Sequence, residues 1–328
     1  MEINFHREIE ILKEKISSAK TIILASHMNP DGDNLGSKLA MYKLLLNLGK
    51  KVYVVENDEV PTAEEFLPNV DKLVDSEKLE NSIADLFICL DCGDLERIGR
   101  AVKVFKNAAF TVNIDHHASN TNFADLNIVD DKAPAVCELL YILIKEMGFS
   151  IDRDIATCLY TGLSTDTGSF KYDSIRPLTF EVAKKLLEEG IDKNEIVVNL
   201  YQRRSREKTD LLLTALKSLK YFNGHKIAVV TINNDDTKKT KARKSDADGI
   251  VEFIRDIDGV ELAIFIKEKE DSYRISTRSK SYLDVSKLVK TFGGGGHIRA
   301  AGATLYKDYY ENIDLAIKAV VDAAIKEF

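Results

Sequence analysis

The chain has 328 residues, enough for about two domains of ordinary size, and is 45% hydrophobic and 30% charged. That composition excludes long disorder, a collagen-like repeat and a disulfide-stapled miniprotein. With 53 acidic against 46 basic side chains the formal charge is −7, which excludes a long-duplex nucleic-acid binder resting on a basic face; a polyanionic substrate held by metal ions or a local basic pocket stays open.

No apolar run approaches the ~20 residues of a membrane span, and the opening MEINFHREIE has no signal-peptide core. Cys89 and Cys92 form a C-x-x-C pair at the end of the apolar run DLFICLDC, with no second pair to complete a zinc site. Thioredoxin-like chemistry needs such a pair at a helix start. All four cysteines are therefore expected as reduced, mostly buried thiols, no membrane is expected as a partner, and the expected compartment is the cytoplasm.

In chain order, the first half alternates short β-branched runs with helical segments, the pattern of a parallel α/β sheet. Strands are expected at 21–26, 51–55, 86–90 and 110–114. Leu35, Leu39, Tyr42, Leu45 and Leu46 recur at helical spacing up to the stop at Gly49. From about 135 to 218 the pattern is nearly all helix. It then reverts to strand–helix–strand–strand–helix in KIAVVTI, ADGIVEFIRDI, VELAIFIK, YRISTRS and DVSKLVKTF, closing on a strand and a helix. The expected fold class is α/β: a parallel-sheet domain over 1–190, a helical connector over 191–218 and a smaller α/β domain over 219–328. The basic run KKTKARK, 238–244, lies between a strand and a helix. A solvated loop is the favoured expectation there, ahead of a phosphate-tracking arm.

Four of the six histidines, His27, His116, His117 and His297, fall in three short polar strings. The first string, SHMNPDGDNLGS, lies where strand 21–26 ends, and open α/β sheets bind ligands at the carboxyl ends of their strands. Its H-x-x-x-D-x-D spacing can turn His27, Asp31 and Asp33 inward together. An N-cap role would explain Asp33 but neither Asp31 nor His27. Asp91 ends strand 86–90 in ICLDCGD and can point into the same crevice. In NIDHHASN two adjacent histidines follow an aspartate and an apolar run, where neither would be easily satisfied as a core residue. Asp166, in GLSTDTGSF after a helix, is on its own an ordinary turn aspartate.

Together, two imidazoles and four carboxylates can hold two divalent ions if one carboxylate bridges. Nitrogen and oxygen donors without thiolate suit Mn²⁺, with Mg²⁺, Fe²⁺ or Co²⁺ as competitors. Two such ions ~3.5–4 Å apart activate water and clamp a phosphoryl group for in-line attack. Phosphoester hydrolysis is the chemistry this set fits.

HMNPDGD, the Asp91 strand end, IDHHASN and STDTGSF resemble the four motifs of the DHH phosphoesterase superfamily, and TFGGGGHIRAAG resembles the glycine-rich signature of its DHH-associated substrate-binding domain. The match covers nearly the whole chain. It is similar to the compact bifunctional oligoribonuclease and adenosine 3′,5′-bisphosphate (pAp) phosphatase group. The resemblance implies that His27 and Asp31 hold one metal, that Asp33, His116 and Asp166 hold the second, that Asp91 bridges, and that His117 faces the substrate phosphate. It also implies that Gly293, Gly294, Gly295, Gly296 and His297 grip the far end of the substrate. Independently of family, four glycines let backbone N–H groups approach a phosphate closely. Arg278 matches an arginine near the bound nucleotide, against an exposed strand charge as the plain alternative, and Arg97 is a weaker candidate for the same work.

The expected function is metal-dependent hydrolysis of short oligoribonucleotides, including linear pApA, to mononucleotides, with a pAp phosphatase activity alongside. The competing expectations are a cyclic-di-AMP phosphodiesterase and a catalytically silent nucleotide-binding regulator. Short RNA or dinucleotides are the expected partners, and a homodimer the expected assembly.

Overall fold

In a computed structural model that describes residues 5–56, 58–79 and 82–328, the N-terminal β-branched runs form a six-stranded sheet. Its strands are β1 (Thr21–Ala25), β2 (Lys51–Glu56), β3 (Leu73–Asp75), β4 (Leu86–Leu90), β5 (Thr111–Asp115) and β6 (Leu126–Val129), in the spatial order β3-β2-β1-β4-β5-β6 and all parallel. β4 and β5 are buried at every position, as strands covered on both faces must be. Alternate residues feed two cores. Ile22, Leu24, Ile88, Val112 and Ile114 pack on one face, and Ile23, Ala25, Phe87 and Cys89 on the other. Strands β3 and β6 go beyond the four expected ones; at three and four residues they are too short to show an alternating pattern.

The helices are α1 (His6–Ser18), α2 (Gly32–Asn47), α3 (Val102–Lys106), α4 (Val136–Glu146), α5 (Arg153–Asp166), α6 (Pro177–Glu188) and α7 (Lys193–Val197), the last continuing as a π turn over Val198–Gln202. Helices α2 and α5 approach backbone to backbone. A Cβ on Gly36 would stand 2.5 Å from the Cys158 carbonyl, and one on Gly162 would stand 2.7 Å from an Asp33 carboxylate oxygen. Only glycine permits that approach, and it brings Asp33 on α2 up to the helix that ends in Asp166.

The chain divides into two compact units after Arg203, within the segment expected as a connector. The second unit holds α8 (Arg206–Lys217), β7 (Lys220–Phe222), β8 (Ile227–Ile232), α9 (Asn234–Thr240), α10 (Ile250–Arg255), β9 (Leu262–Glu268), β10 (Ser272–Ser279), α11 (Val285–Lys290), β11 (Gly295–Gly296), β12 (Ala300–Tyr306) and α12 (Ile313–Ile325). Its mixed sheet runs β11-β12-β10-β9-β8-β7, parallel only between β8 and β9. The expected loop at 238–244 is corrected in part: residues 238–240 close α9, because Asn233 and Asp236 form a capping box that starts a helix there, and Lys241 ends it in a left-handed conformation. All four cysteines are free and buried. Among the described residues no helix is long and apolar enough to cross a membrane.

Candidate metal centre

The strand order reverses between β1 and β4, and the crevice outside their carboxyl ends is where open α/β sheets bind ligands. His27 leaves β1 there, Asp91 leaves β4, and His116 and His117 leave β5. Asp31 and Asp33 open α2, and Asp166 is the last residue of α5 rather than a residue beyond it. The structure brings all seven together. His27, Asp31 and Asp91 form one group whose donor atoms lie within 4.8 Å of one another; Asp33, His116 and Asp166 form a second, and Asp91, His116 and His117 a third.

Both inner imidazoles are oriented alike. His27 Nδ1 lies 2.8 Å from the Met28 carbonyl and His116 Nδ1 lies 3.0 Å from that of Ala133. A carbonyl only accepts, so each Nδ1 carries the hydrogen and each Nε2 turns inward. His27 Nε2 is 3.2 Å from Asp91 Oδ2 and 3.8 Å from Asp31. His116 Nε2 is 3.6 Å from Asp91 Oδ1 and 3.4 Å from Asp166. Asp91 therefore stands between the two imidazoles. Its backbone is left-handed, with φ 54°, a strain that persists at sites where the surroundings over-determine it.

The helix-capping role falls to Asp31, whose Oδ1 accepts from the Asn34 N–H at the start of α2. Asp33 instead accepts the Val136 and Cys137 N–H groups at the start of α4. His117 Nδ1 lies 2.8 Å from the fully buried Asp115, whose second oxygen accepts from Asn120. Asp115 and Asn120 escaped the sequence analysis, although both lie in NIDHHASN. The available signal was a carboxylate closing a wholly buried strand, which needs a partner.

The charges are crowded. Burial pushes Asp33 up to about 6, with the Asp91 carboxylate next in effect. Burial and the carboxylates of Asp33, Asp31 and Asp91 push Asp166 well above the usual range. Burial is the largest single effect on both His27 and Asp91 and works against their charge, but their mutual hydrogen bond and the opposite charges around each together outweigh it, raising His27 to about 9 and lowering Asp91 to about 2. Among the described residues, Asp91 Oδ1 is buried without a hydrogen-bond partner. A buried, unsatisfied carboxylate oxygen amid two imidazoles and three further carboxylates is what a divalent ion would satisfy, so the donor set fits such ions.

The remaining expected residues are carried by other elements. Arg97 is exposed on the turn Leu95–Ala101, and its backbone carbonyl accepts from the Met28 N–H. Its charge reaches His117, where it opposes the rise that Asp115 and Asp91 produce. In the second unit Arg278 is half-buried on β10 and paired through Nε with Glu252 at 2.9 Å, so it is not a plain exposed strand charge. It stands opposite Ala300, whose carbonyl accepts from the His297 N–H. Gly295 and Gly296 pair with Gly302 and Ala301 as the other arm of this hairpin. A Cβ on Gly294 would stand 2.3 Å from the Gly302 carbonyl, so that glycine serves the hairpin itself.

A family model described as the DHH family, N-terminal domain, matches residues 21–163, and one described as the DHHA1 domain matches 224–327. The chain is 31% identical over 308 residues to the bifunctional oligoribonuclease and PAP phosphatase NrnA of Thermus thermophilus, covering 93% of this chain and 90% of that one. It is 30% identical to the protein of the same name from Bacillus subtilis, covering 89% and 91%. The crystal structure of an exopolyphosphatase-related protein from Bacteroides fragilis superposes with a TM-score of 0.91 at 28% identity, covering 98% of this chain and 96% of that one. Motifs, fold and relatives agree along nearly the whole length, and the chain belongs to the DHH family of phosphoesterases, with a DHHA1 domain following the DHH domain.

Proposed function

We propose that this protein is a divalent-metal phosphodiesterase, Mn²⁺ being the ion its donors suit best, that degrades short oligoribonucleotides such as pApA to mononucleotides and also converts pAp to AMP. What carries the proposal is the clustering of six ligand-type side chains with Asp91, whose inner oxygen is buried without a partner among the described residues. The names borne by the Thermus and Bacillus relatives supply the substrate class.

His27, Asp31 and Asp91 would hold one ion, and Asp33, His116 and Asp166 the other, with Asp91 shared. The ions, when bound, supply Lewis acidity that polarises phosphoryl oxygens and eases the deprotonation of water. His117 does separate work. Its Nδ1–H is held by Asp115, so Nε2 is the ring nitrogen that would face a phosphate oxygen. Burial disfavours its charge, but Asp115 and Asp91 raise its affinity for a proton, so Nε2 can donate. Recognition of the far end of the substrate is assigned to the glycine hairpin Gly293–Gly296 with His297 and Arg278, and Arg97 adds positive charge beside His117.

The test is one substrate panel, comprising pApA, a five-residue RNA, pAp and cyclic di-AMP, assayed in Mn²⁺ with and without EDTA. Hydrolysis of pApA, the RNA and pAp that EDTA abolishes and Mn²⁺ restores is expected, and Asp91→Asn should lose it. Turnover that survives thorough chelation, or cyclic di-AMP as the preferred substrate, would overturn the proposal.

A further inference from the structure

We propose that Arg176 is a positioning residue that fixes the second metal group, Asp33, His116 and Asp166, without touching an ion; this rests on the metal-centre assignment above. Arg176 lies outside the motif strings, six residues past the end of STDTGSF. Its backbone is set by Pro177 at the first position of α6 and by Thr179 Oγ1, which accepts its N–H. From there its guanidinium divides between two acids. Nε donates to Glu138 Oε1 at 2.6 Å and Nη2 donates to Asp130 Oδ2 at 3.0 Å. Glu138 is wholly buried on the first turn of α4, and among the described residues its other oxygen has no partner, so Arg176 is its counter-charge.

Both acids lead to the site by short paths. Asp130 opens the loop between β6 and α4. Its N–H donates to the Asp115 carbonyl, its carbonyl accepts from the Ala133 N–H, and its Oδ1 accepts from the Lys132 N–H. The Ala133 carbonyl is the acceptor that holds His116 Nδ1–H at 3.0 Å and so turns Nε2 inward. Glu138 anchors the helix whose first N–H groups, those of Val136 and Cys137, hold the Asp33 carboxylate. One planar fork thus clamps the loop that orients His116 and the helix end that orients Asp33. A guanidinium can make both contacts at fixed geometry; an ammonium cannot. His27 and Asp31 are held instead by the Met28 carbonyl and the Asn34 N–H, which this clamp does not reach.

The consequence is selective. Partners one step removed from a metal ligand typically affect metal affinity by about 10–100-fold. Asp130→Ala loosens the loop while leaving the Arg176–Glu138 pair intact, so no buried charge is stranded. Arg176→Lys keeps the charge and loses the fork. Mn²⁺ titration of the metal-free full chain by calorimetry should show two ions in the wild type. In each variant one ion should bind within about threefold of wild type and the other about 10–100-fold more weakly. In a His27→Ala background, Asp130→Ala should weaken the remaining ion; in a His116→Ala background it should add nothing. If the wild type binds two ions and the variants weaken both alike or neither, the positioning role is overturned while the metal centre stands. A wild type that binds no ion overturns the metal centre and this role with it.

Discussion

The contact between α2 and α5 gives a prediction whose sign is decided by two opposing magnitudes. Gly36→Ala places a Cβ 2.5 Å from the Cys158 carbonyl oxygen, whereas ordinary contact begins at 3.4 Å. The helices must therefore part by up to the 0.9 Å difference, 3.4 − 2.5. The same Cβ would also crowd the Gly162 N at 3.1 Å and Cys137 Sγ at 3.3 Å. Replacing glycine inside a helix gains about 1 kcal/mol of propensity. Overpacking a dense contact costs about 1–3 kcal/mol, and here the obstacle is backbone that cannot rotate away, which points to the upper end. The net effect should be a loss of about 1–2 kcal/mol. For a unit of this size that lowers the melting temperature by roughly 2–8 °C. Because α2 carries Asp33 and α5 ends in Asp166, the same displacement should weaken one metal ion more than the other. Circular-dichroism melting of the metal-free chain, followed by Mn²⁺ calorimetry, measures both effects. A melting temperature equal to or above wild type would mean that propensity wins, and the close helix approach would be refuted.

Three further outcomes are expected. Asp115→Asn removes the carboxylate that helps raise His117, leaving burial to dominate, so the alkaline limb of the pH–rate profile should move to lower pH; an unmoved limb would detach Asp115 from the chemistry. Gly295 has an ordinary backbone and open space where a Cβ would go, so Gly295→Ala should leave melting unchanged, and any accompanying rise in KM for pApA would report on the ligand rather than the fold. Metal-free His27 and Asp33 hold protons up to about 9 and about 6, and an ion must displace them. Mn²⁺ affinity should therefore rise between pH 6 and 9 with measurable proton release, and a flat profile would count against His27 as a ligand.

The sequence made the site more legible than its supports. β1 and β4 announce themselves as continuous apolar runs and β5 as a β-branched run broken at Asn113; each ends in a polar string, and the ligands stand at those ends. Asp31 and Asp33 are two residues apart and alike in type, yet one caps its own helix and the other accepts from the start of α4, more than a hundred residues away. No local pattern distinguishes them, since that partnership is tertiary. Gly36 and Gly162 were hidden for the same reason: a glycine in a helix looks like a propensity defect until its neighbour across the contact is known. Arg176 follows no motif at all, and its role emerges only when β6, a strand of four residues, brings Asp130 beside it.

The charge distribution explains why so many elements contribute. Asp31, Asp33, Asp91 and Asp166 repel one another at close range, and a single segment could relieve that repulsion by moving its side chains apart. Here four of the ligands are each held by backbone groups. The N–H groups at the starts of α2 and α4 hold Asp31 and Asp33, where the positive end of a helix also favours a carboxylate. Backbone carbonyls hold His27 and His116. Two N–H donors are still not enough to keep Asp33 in its ordinary range, since burial raises it to about 6. Ionising Asp33 therefore opposes folding, a cost absent below about 3.8 and fully present above about 6; at one pKa unit per 1.36 kcal/mol it amounts to roughly 3 kcal/mol. In the metal-free chain the proton on His27, paired with Asp91, is the main positive charge set against that crowding. A divalent ion supplies more positive charge at the same place and contacts donors the proton cannot reach. The crowding that opposes folding is thus what gives the site affinity for metal.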